Sequence, residues 1–180
     1  MKSQFAAFLI VTYLAYYCDA AKRSRTKESS TKGSSAVAGD ERLRSLNAKF
    51  LTSNMVPLTD SNFSKFVTSR PRDYVAVLML TALGSRYECQ VCKTTLPIFE
   101  EVAALYYSQF DFNSSQPSSR LAFFIVDADK AGGTFEDMKI DTVPRFYALP
   151  PRAEADSKLK MSDFEISNRF SSHLLQIYLL

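Results

Sequence analysis

From Tyr74 to Ala82 the chain is a nearly unbroken apolar run rich in β-forming residues. A strand with one wet face alternates; one that does not is covered on both faces, so this run predicts a central strand of an α/β sheet. Just beyond it stands Cys89-Gln90-Val91-Cys92, followed by Lys93 and by Leu96, Phe99, Ala103 and Tyr106 on one helical stripe reaching about Tyr107. That arrangement puts two thiols on the N-terminal turn of a helix, where the dipole favours a thiolate. The pair therefore reads first as a redox-active dithiol. Pro97 interrupts the stripe and predicts a kink.

The flanking segments alternate between helix and strand. Leu43, Leu46, Phe50 and Leu51 recur at helical spacing from Glu41 onward. Met55-Val56-Pro57-Leu58 predicts a brief edge strand, where Pro57 need not donate to a ladder. Thr59, Asp60 or Ser61 can cap a helix that turns Phe63, Phe66 and Val67 inward and stops before Arg70-Pro71. After a polar loop from Asp111 to Ser119, Leu121 to Val126 predicts a second buried strand, ending in Asp127-Ala128-Asp129. Gly132 and Gly133 break the chain before a short helix, Thr134 to Met138. Thr142-Val143-Pro144 leads into a third strand, Arg145 to Leu149, ended by Pro150-Pro151. A polar connection through Phe164 and Ile166, read as a hairpin, reaches a final helix carrying Phe170, Leu174, Ile177 and Tyr178. The alternation predicts a layered α/β sandwich with a mixed sheet.

The first residues bear on the compartment. Lys2 precedes an apolar stretch from Phe5 to Tyr17, too short to span a bilayer comfortably, and Cys18-Asp19-Ala20 places small residues where a signal peptidase cuts. Residues 1–20 are expected to be a secretory signal; signal anchoring is the alternative, because Lys22, Arg23 and Arg25 follow directly. Cleavage removes Cys18 and leaves Cys89 and Cys92. These close so small a loop that they tie no distant parts together, unlike a structural framework. Residues 21–40, Ser/Thr/Gly-rich and carrying Lys22, Arg23, Arg25, Lys27 and Lys32, are expected to be a flexible linker. The net charge is only +3, and no aromatics interleave the basic tract, which argues against a nucleic-acid or lipid arm. Residues 41–180 then form one domain of ordinary size.

Other chemistry is sparse. A metal centre would draw on two cysteines and the distant His173, which is too few ligands, so no metal or other cofactor is expected. Asp127 and Asp129 are read as solvated or capping residues, and an inert local disulfide is the bland alternative at Cys89 and Cys92. Two sequons, at Asn62 and Asn113, are candidate glycan acceptors; Asn113, in the polar loop, is the better one. After the signal no stretch is long and apolar enough to span a membrane.

The dithiol after a buried strand, Pro97 in the helix behind it, and a Val-Pro ahead of a later strand resemble a thioredoxin fold. In that family the later proline is cis and faces the dithiol; Pro144 is the residue that matches. A narrower likeness lies on top. Pro71-Arg72-Asp73-Tyr74, Leu78-Met79-Leu80-Thr81-Ala82-Leu83, Cys89-Gln90-Val91-Cys92-Lys93, Ile125-Val126 with Asp127 and Asp129, and Val143-Pro144-Arg145-Phe146 up to Pro150-Pro151 together resemble the thioredoxin-like subunit of the oligosaccharyltransferase complex, over roughly Leu43 to Leu179.

That resemblance implies a thioredoxin-like three-layer sandwich with a central mixed sheet in the endoplasmic-reticulum lumen. It implies an accessory redox subunit whose dithiol forms transient mixed disulfides with nascent polypeptides, keeping nearby sequons reachable by a separate catalytic subunit. Cys89 would take the substrate sulfur, Cys92 would resolve the mixed disulfide, and the backbone of Val143 beside Pro144 would pair with an extended peptide. Partners would be nascent polypeptides with free cysteines and other subunits of the complex. No nucleic acid is implied, and full-length relatives continue into the membrane. The rival readings are a stand-alone lumenal thiol-disulfide oxidoreductase or redox chaperone, and a peptide-binding module without redox turnover.

Two departures from thioredoxins bear on the redox poise. Tyr87-Glu88 stands where a Trp usually precedes the first cysteine, with Glu88 opposing a thiolate and Arg86 favouring one. Val75 to Ala82 also lacks the buried acid that would shuttle a proton, so slow resolution is expected.

Overall fold

A computed structural model of the chain describes residues 35–50, 52–110, 112, 120–152 and 165–166. The signal and most of the linker, Asn113, His173 and the final helix lie outside the described residues.

The elements run α1 (Ser35–Phe50), β1 (Val56–Leu58), α2 (Asp60–Phe63) continued by a π-helical turn (Ser64–Thr68), β2 (Val75–Thr81), a 3₁₀ turn (Ser85–Tyr87), α3 (Gln90–Gln109), β3 (Leu121–Asp127), α4 (Gly132–Met138), β4 (Arg145–Leu149) and β5 (Glu165–Ile166). One five-stranded sheet has the order β1-β3-β2-β4-β5. β3 pairs in parallel with β1 and β2, whereas β4 runs antiparallel to β2 and to β5. The hairpin expected through Ile166 is the β4–β5 pair, with Ile166 opposite Phe146.

β2 is buried along its whole length, as an apolar run without alternation requires. Side-chain alternation then splits its residues between two cores. Ala76, Leu78 and Leu80 join Leu46, Phe63, Phe66, Phe124, Val126 and Tyr147 on one face. Val75, Val77 and Met79 join Phe99, Val102, Ala103 and Tyr106 of α3, with Phe123 and Phe146, on the other. The molecule is thus the expected α/β sandwich, a mixed sheet between two helical layers. β1 is the edge strand foreseen, with Pro57 turned to solvent between buried Val56 and Leu58.

Three local expectations need correction. α1 begins at Ser35, so residues 35–40 of the expected linker are helical. Their low apolar content speaks to burial, but once a helix is nucleated each added residue gains a hydrogen bond, and Ala36 and Ala38 favour that extension. The interruption expected at Pro97 does not end α3, which continues on both sides of it, its stripe of Phe99, Val102, Ala103 and Tyr106 held against the sheet. α4 starts at Gly132 rather than Thr134, because its first turn is capped from outside. The Asp60 carboxylate accepts the amides of Gly133 (3.1 Å) and Thr134 (2.6 Å) and the Thr134 hydroxyl (2.7 Å). These bonds, the hydroxyl's first, hold the Asp60 carboxyl below its usual range. α2 takes Thr59 as its own N-cap, and the Thr59 amide donates to Asn62 Oδ1 at 2.9 Å. Asn62 is thereby engaged in the turn beside buried Phe63.

Pro71-Arg72-Asp73-Tyr74 forms a buried knot at the start of β2. Arg72, only 1% exposed, donates to the carbonyls of Tyr74 (3.2 Å), Val67, Leu149 (3.2 Å) and Pro150. Burial lowers its guanidinium from its ordinary value to about 10. The Tyr74 hydroxyl donates to Phe66 O at 2.7 Å, and Arg72 and Arg152 exchange backbone hydrogen bonds of 2.8 Å. The end of α2, the start of β2 and the end of β4 are joined through one side chain.

Candidate redox site

α3 follows β2 and returns along the sheet toward the start of β3. Tyr106, near its far end, accepts the Leu121 amide at 3.0 Å, and Leu121 is in register with Val75 at the opposite end of β2 from Thr81. The first turn of α3 therefore sits at the C-terminal edge of β2. Cys89 is the N-cap residue, and the Cys92 amide donates to Cys89 Sγ at 3.1 Å. The two sulfurs are joined in a disulfide, with Cα atoms 5.3 Å apart. Cys89 is half-buried, whereas Cys92, on the sheet-facing stripe, is 0% exposed. Cys89 thus keeps some surface in solvent and Cys92 none.

The approach to the disulfide is a tight turn. Tyr87 and Glu88 amides donate to Gly84 O (3.0 Å) and Ser85 O (3.3 Å). Glu88 takes φ 49°, a left-handed conformation that costs a non-glycine residue about 1 kcal/mol. Exposed Tyr87 precedes the cysteines and exposed Val91 lies between them. Arg86, expected to favour a thiolate, pairs instead with Asp129 at 2.6 Å, donates to the Tyr87 hydroxyl at 2.6 Å and lies 4.6 Å from that ring's centre. Asp127 Oδ1 accepts the amides of Leu83 (3.2 Å) and Asp129 (3.3 Å). These two acids thus cap and pair. Among the described residues no group of three or more His, Cys, Asp or Glu side chains could hold a metal. Gly84 is needed for space: a Cβ there would lie 1.8 Å from Asp129 Oδ2.

Val143 and Pro144 are half-buried, and the peptide between them is cis. Arg145, which follows, is in register with Leu80, so the Val-Pro loop lies at the same end of the sheet as the disulfide. Among the described residues the Val143 backbone has no hydrogen-bond partner. Arg145 fixes the loop from below, donating to Thr142 Oγ1 (2.8 Å) and O (3.2 Å) and pairing with Asp141 (3.0 Å) and Glu165 (3.4 Å).

One residue at this end enters the sequence reading only as part of the Leu78–Leu83 stretch, with no chemistry assigned to it. Thr81, the last residue of β2, is 0% exposed, and its hydroxyl has no hydrogen-bond partner among the described residues. Inside an apolar run a threonine reads as one more β-branched filler, so only burial reveals it.

A profile of the OST3 / OST6 family, described as a transporter family, matches residues 41–178. Dolichyl-diphosphooligosaccharide–protein glycosyltransferase subunit MAGT1 of Rattus norvegicus is 31% identical over 104 residues, covering 56% of this chain and 30% of that one. The Xenopus laevis MAGT1 subunit is 27% identical over 100 residues (56% and 29%), and subunit 3 of Schizosaccharomyces pombe 26% over 108 (60% and 33%). The match thus spans about a third of these relatives' length. Two solved thioredoxins are also similar: one from Malassezia sympodialis (16% identity, TM-score 0.42, covering 68% of this chain and 89% of that one) and thioredoxin f from spinach chloroplast (17%, 0.46, 76% and 92%). No described helix is long and apolar enough to cross a membrane. With the profile extending over nearly the whole of the described fold, the chain belongs to the OST3 / OST6 family.

Proposed function

We propose that this protein is an accessory redox subunit of the oligosaccharyltransferase complex, acting on nascent polypeptides in the lumen of the endoplasmic reticulum. The observation that carries the reading is the asymmetric disulfide: reachable Cys89 and sealed Cys92, at the same end of the sheet as the cis Val143–Pro144 peptide. A substrate thiolate attacks Cys89 Sγ. The bond from Cys89 to Cys92 breaks, its electron pair leaves on Cys92 Sγ, and a mixed disulfide joins the peptide to Cys89. Return attack by the Cys92 thiolate on Cys89 Sγ restores the internal disulfide and frees the peptide thiolate. While held, the peptide pairs with the open backbone of Val143 as an added strand. A cysteine-bearing segment kept extended leaves a neighbouring sequon open to a separate catalytic subunit. No sugar is transferred at this site.

The names of the relatives, subunits of a glycosyltransferase, support partnership with other subunits and attachment to the endoplasmic-reticulum membrane. Cys92→Ser has no internal disulfide, so there the Cys89 thiolate attacks a disulfide of the nascent chain and the other substrate sulfur leaves as a thiolate. With no resolving thiol, such reductant-sensitive adducts are expected to accumulate on Cys89, and Cys89→Ser cells to show none. Both variants should lose occupancy at a subset of sequons, and the protein should co-purify with glycosyltransferase subunits from detergent extract. Altered disulfide formation without co-purification or occupancy change would favour a free-standing oxidoreductase. Unchanged function in both variants would favour a peptide-binding module.

A further inference from the structure

Thr81 closes β2 at the end of the sheet from which the chain leads to the disulfide. It is in register with Asp127 on β3, and alternation along β2 puts its side chain on the face of Val75, Val77 and Met79, the face that α3 covers. The buried positions of α3 run Cys92, Thr95, Phe99, Val102, Ala103 and Tyr106, and Tyr106 is anchored at the Val75 end of β2. Counting from that anchor, the layer that meets Thr81 is the first turn of α3, with Cys92 inward. A hydroxyl carries one donor and two acceptor sites, and leaving it unmatched in a dry interior is unfavourable. In the disulfide form it has no hydrogen-bond partner among the described residues.

We propose that the Thr81 hydroxyl is the donor that receives the Cys92 thiolate when the disulfide opens, and so governs how long a captured peptide is held. This rests on the exchange reading above. When a substrate thiolate takes Cys89, the electron pair left on Cys92 Sγ is buried. β2 offers it no ionisable neighbour, since its residues are Val, Ala, Leu, Met and Thr. Thr81 transfers no proton; its O–H points at the sulfur and stabilises the anion by hydrogen bonding. The other charged groups around this end are committed elsewhere or face solvent. Asp127, on the same sheet face, accepts two amides; Arg86 and Asp129 pair with each other; Glu88 is exposed; and Arg145 of β4 lies on the opposite face and holds Asp141 and Glu165.

The test uses the full chain with Cys18→Ser, reduced and then mixed with Ellman's reagent. Cys89 captures the first thionitrobenzoate, and Cys92 expels it in a second, separately timed release. The pH profile of that second step reports the Cys92 thiolate. In Thr81→Val, which keeps the shape and removes the hydroxyl, the midpoint is expected to rise by about one pH unit. A thiolate of higher pKa is also the better nucleophile, so the step should be about threefold slower below the midpoint and about threefold faster on the plateau. Thr81→Ser should keep the wild-type profile. Coincident profiles for wild type and Thr81→Val would overturn the assignment, as would equal displacement by Val and Ser, which is a packing effect. A wild-type protein with no second release would instead remove the exchange reading, and this inference with it.

Discussion

Replacing Arg72 by methionine tests whether the buried knot, rather than the helix–sheet packing alone, holds the sheet ends together. The substitution keeps an unbranched stem of similar bulk and deletes the guanidinium. Four carbonyls, those of Val67, Tyr74, Leu149 and Pro150, then lose a donor inside the fold. At about 1 kcal/mol for each unmatched buried acceptor the loss is about 4 kcal/mol. Part returns because a desolvated cation is gone, the same burial that brings its pKa down to about 10. The net expectation is a destabilisation of about 2–4 kcal/mol in urea unfolding, read as a lower midpoint at unchanged slope. The dithiol lies at the other end of β2, roughly 20 Å away at about 3.3 Å per residue. Its reduction potential in the folded variant should therefore match wild type. A stability change below about 1 kcal/mol would refute the reasoning, and a shifted potential would refute the separation of the two ends.

Tyr106→Phe removes the acceptor of the Leu121 amide, a buried bond of 3.0 Å, and should cost about 1–2 kcal/mol, with faster hydrogen exchange at Leu121 as its local mark. Asp60 holds its proton less tightly in the fold than its ordinary 3.8, so the stability it adds is complete above that value and falls away as pH drops through the folded pKa. The difference between wild type and Asp60→Asn should accordingly be flat near neutrality and shrink below about pH 4; a gap that persists at pH 2 would contradict the cap. Asp129→Asn releases Arg86 and removes a negative charge, so the reduced Cys89 thiol should titrate about half a pH unit lower, measured by the pH dependence of alkylation.

What the sequence made legible was whatever repeats locally. The unbroken run of β2, the buried run of β3, the stripe of α3 and the proline ahead of β4 each carry their own periodicity or punctuation. The contacts that could not be read join residues far apart in the chain. Asp60 meets Gly133 and Thr134 only after the sheet has brought α2 and α4 together, and Arg86 meets Asp129 only after β2 and β3 have paired. The start of α1 is hidden for a different reason: poverty in apolar residues argues against burial and not against helix, and a helix can run past its last packed turn. At the dithiol, chemistry was visible in residue type and spacing, while the sealing of Cys92 and the isolation of the Thr81 hydroxyl required the packed layer above β2.

Gly84 has a consequence for how this site can diversify. Asp129 already fills the volume a side chain would claim there, so even a methyl group would evict the carboxylate and release Arg86. Any side chain at the hinge between sheet and sulfur thus comes at the expense of that ion pair. The next four positions, Ser85 to Glu88, all face solvent. On the proposed exchange reading, redecorating that short rim would change which peptides meet Cys89, while the pivot on which the rim is mounted keeps its bare backbone.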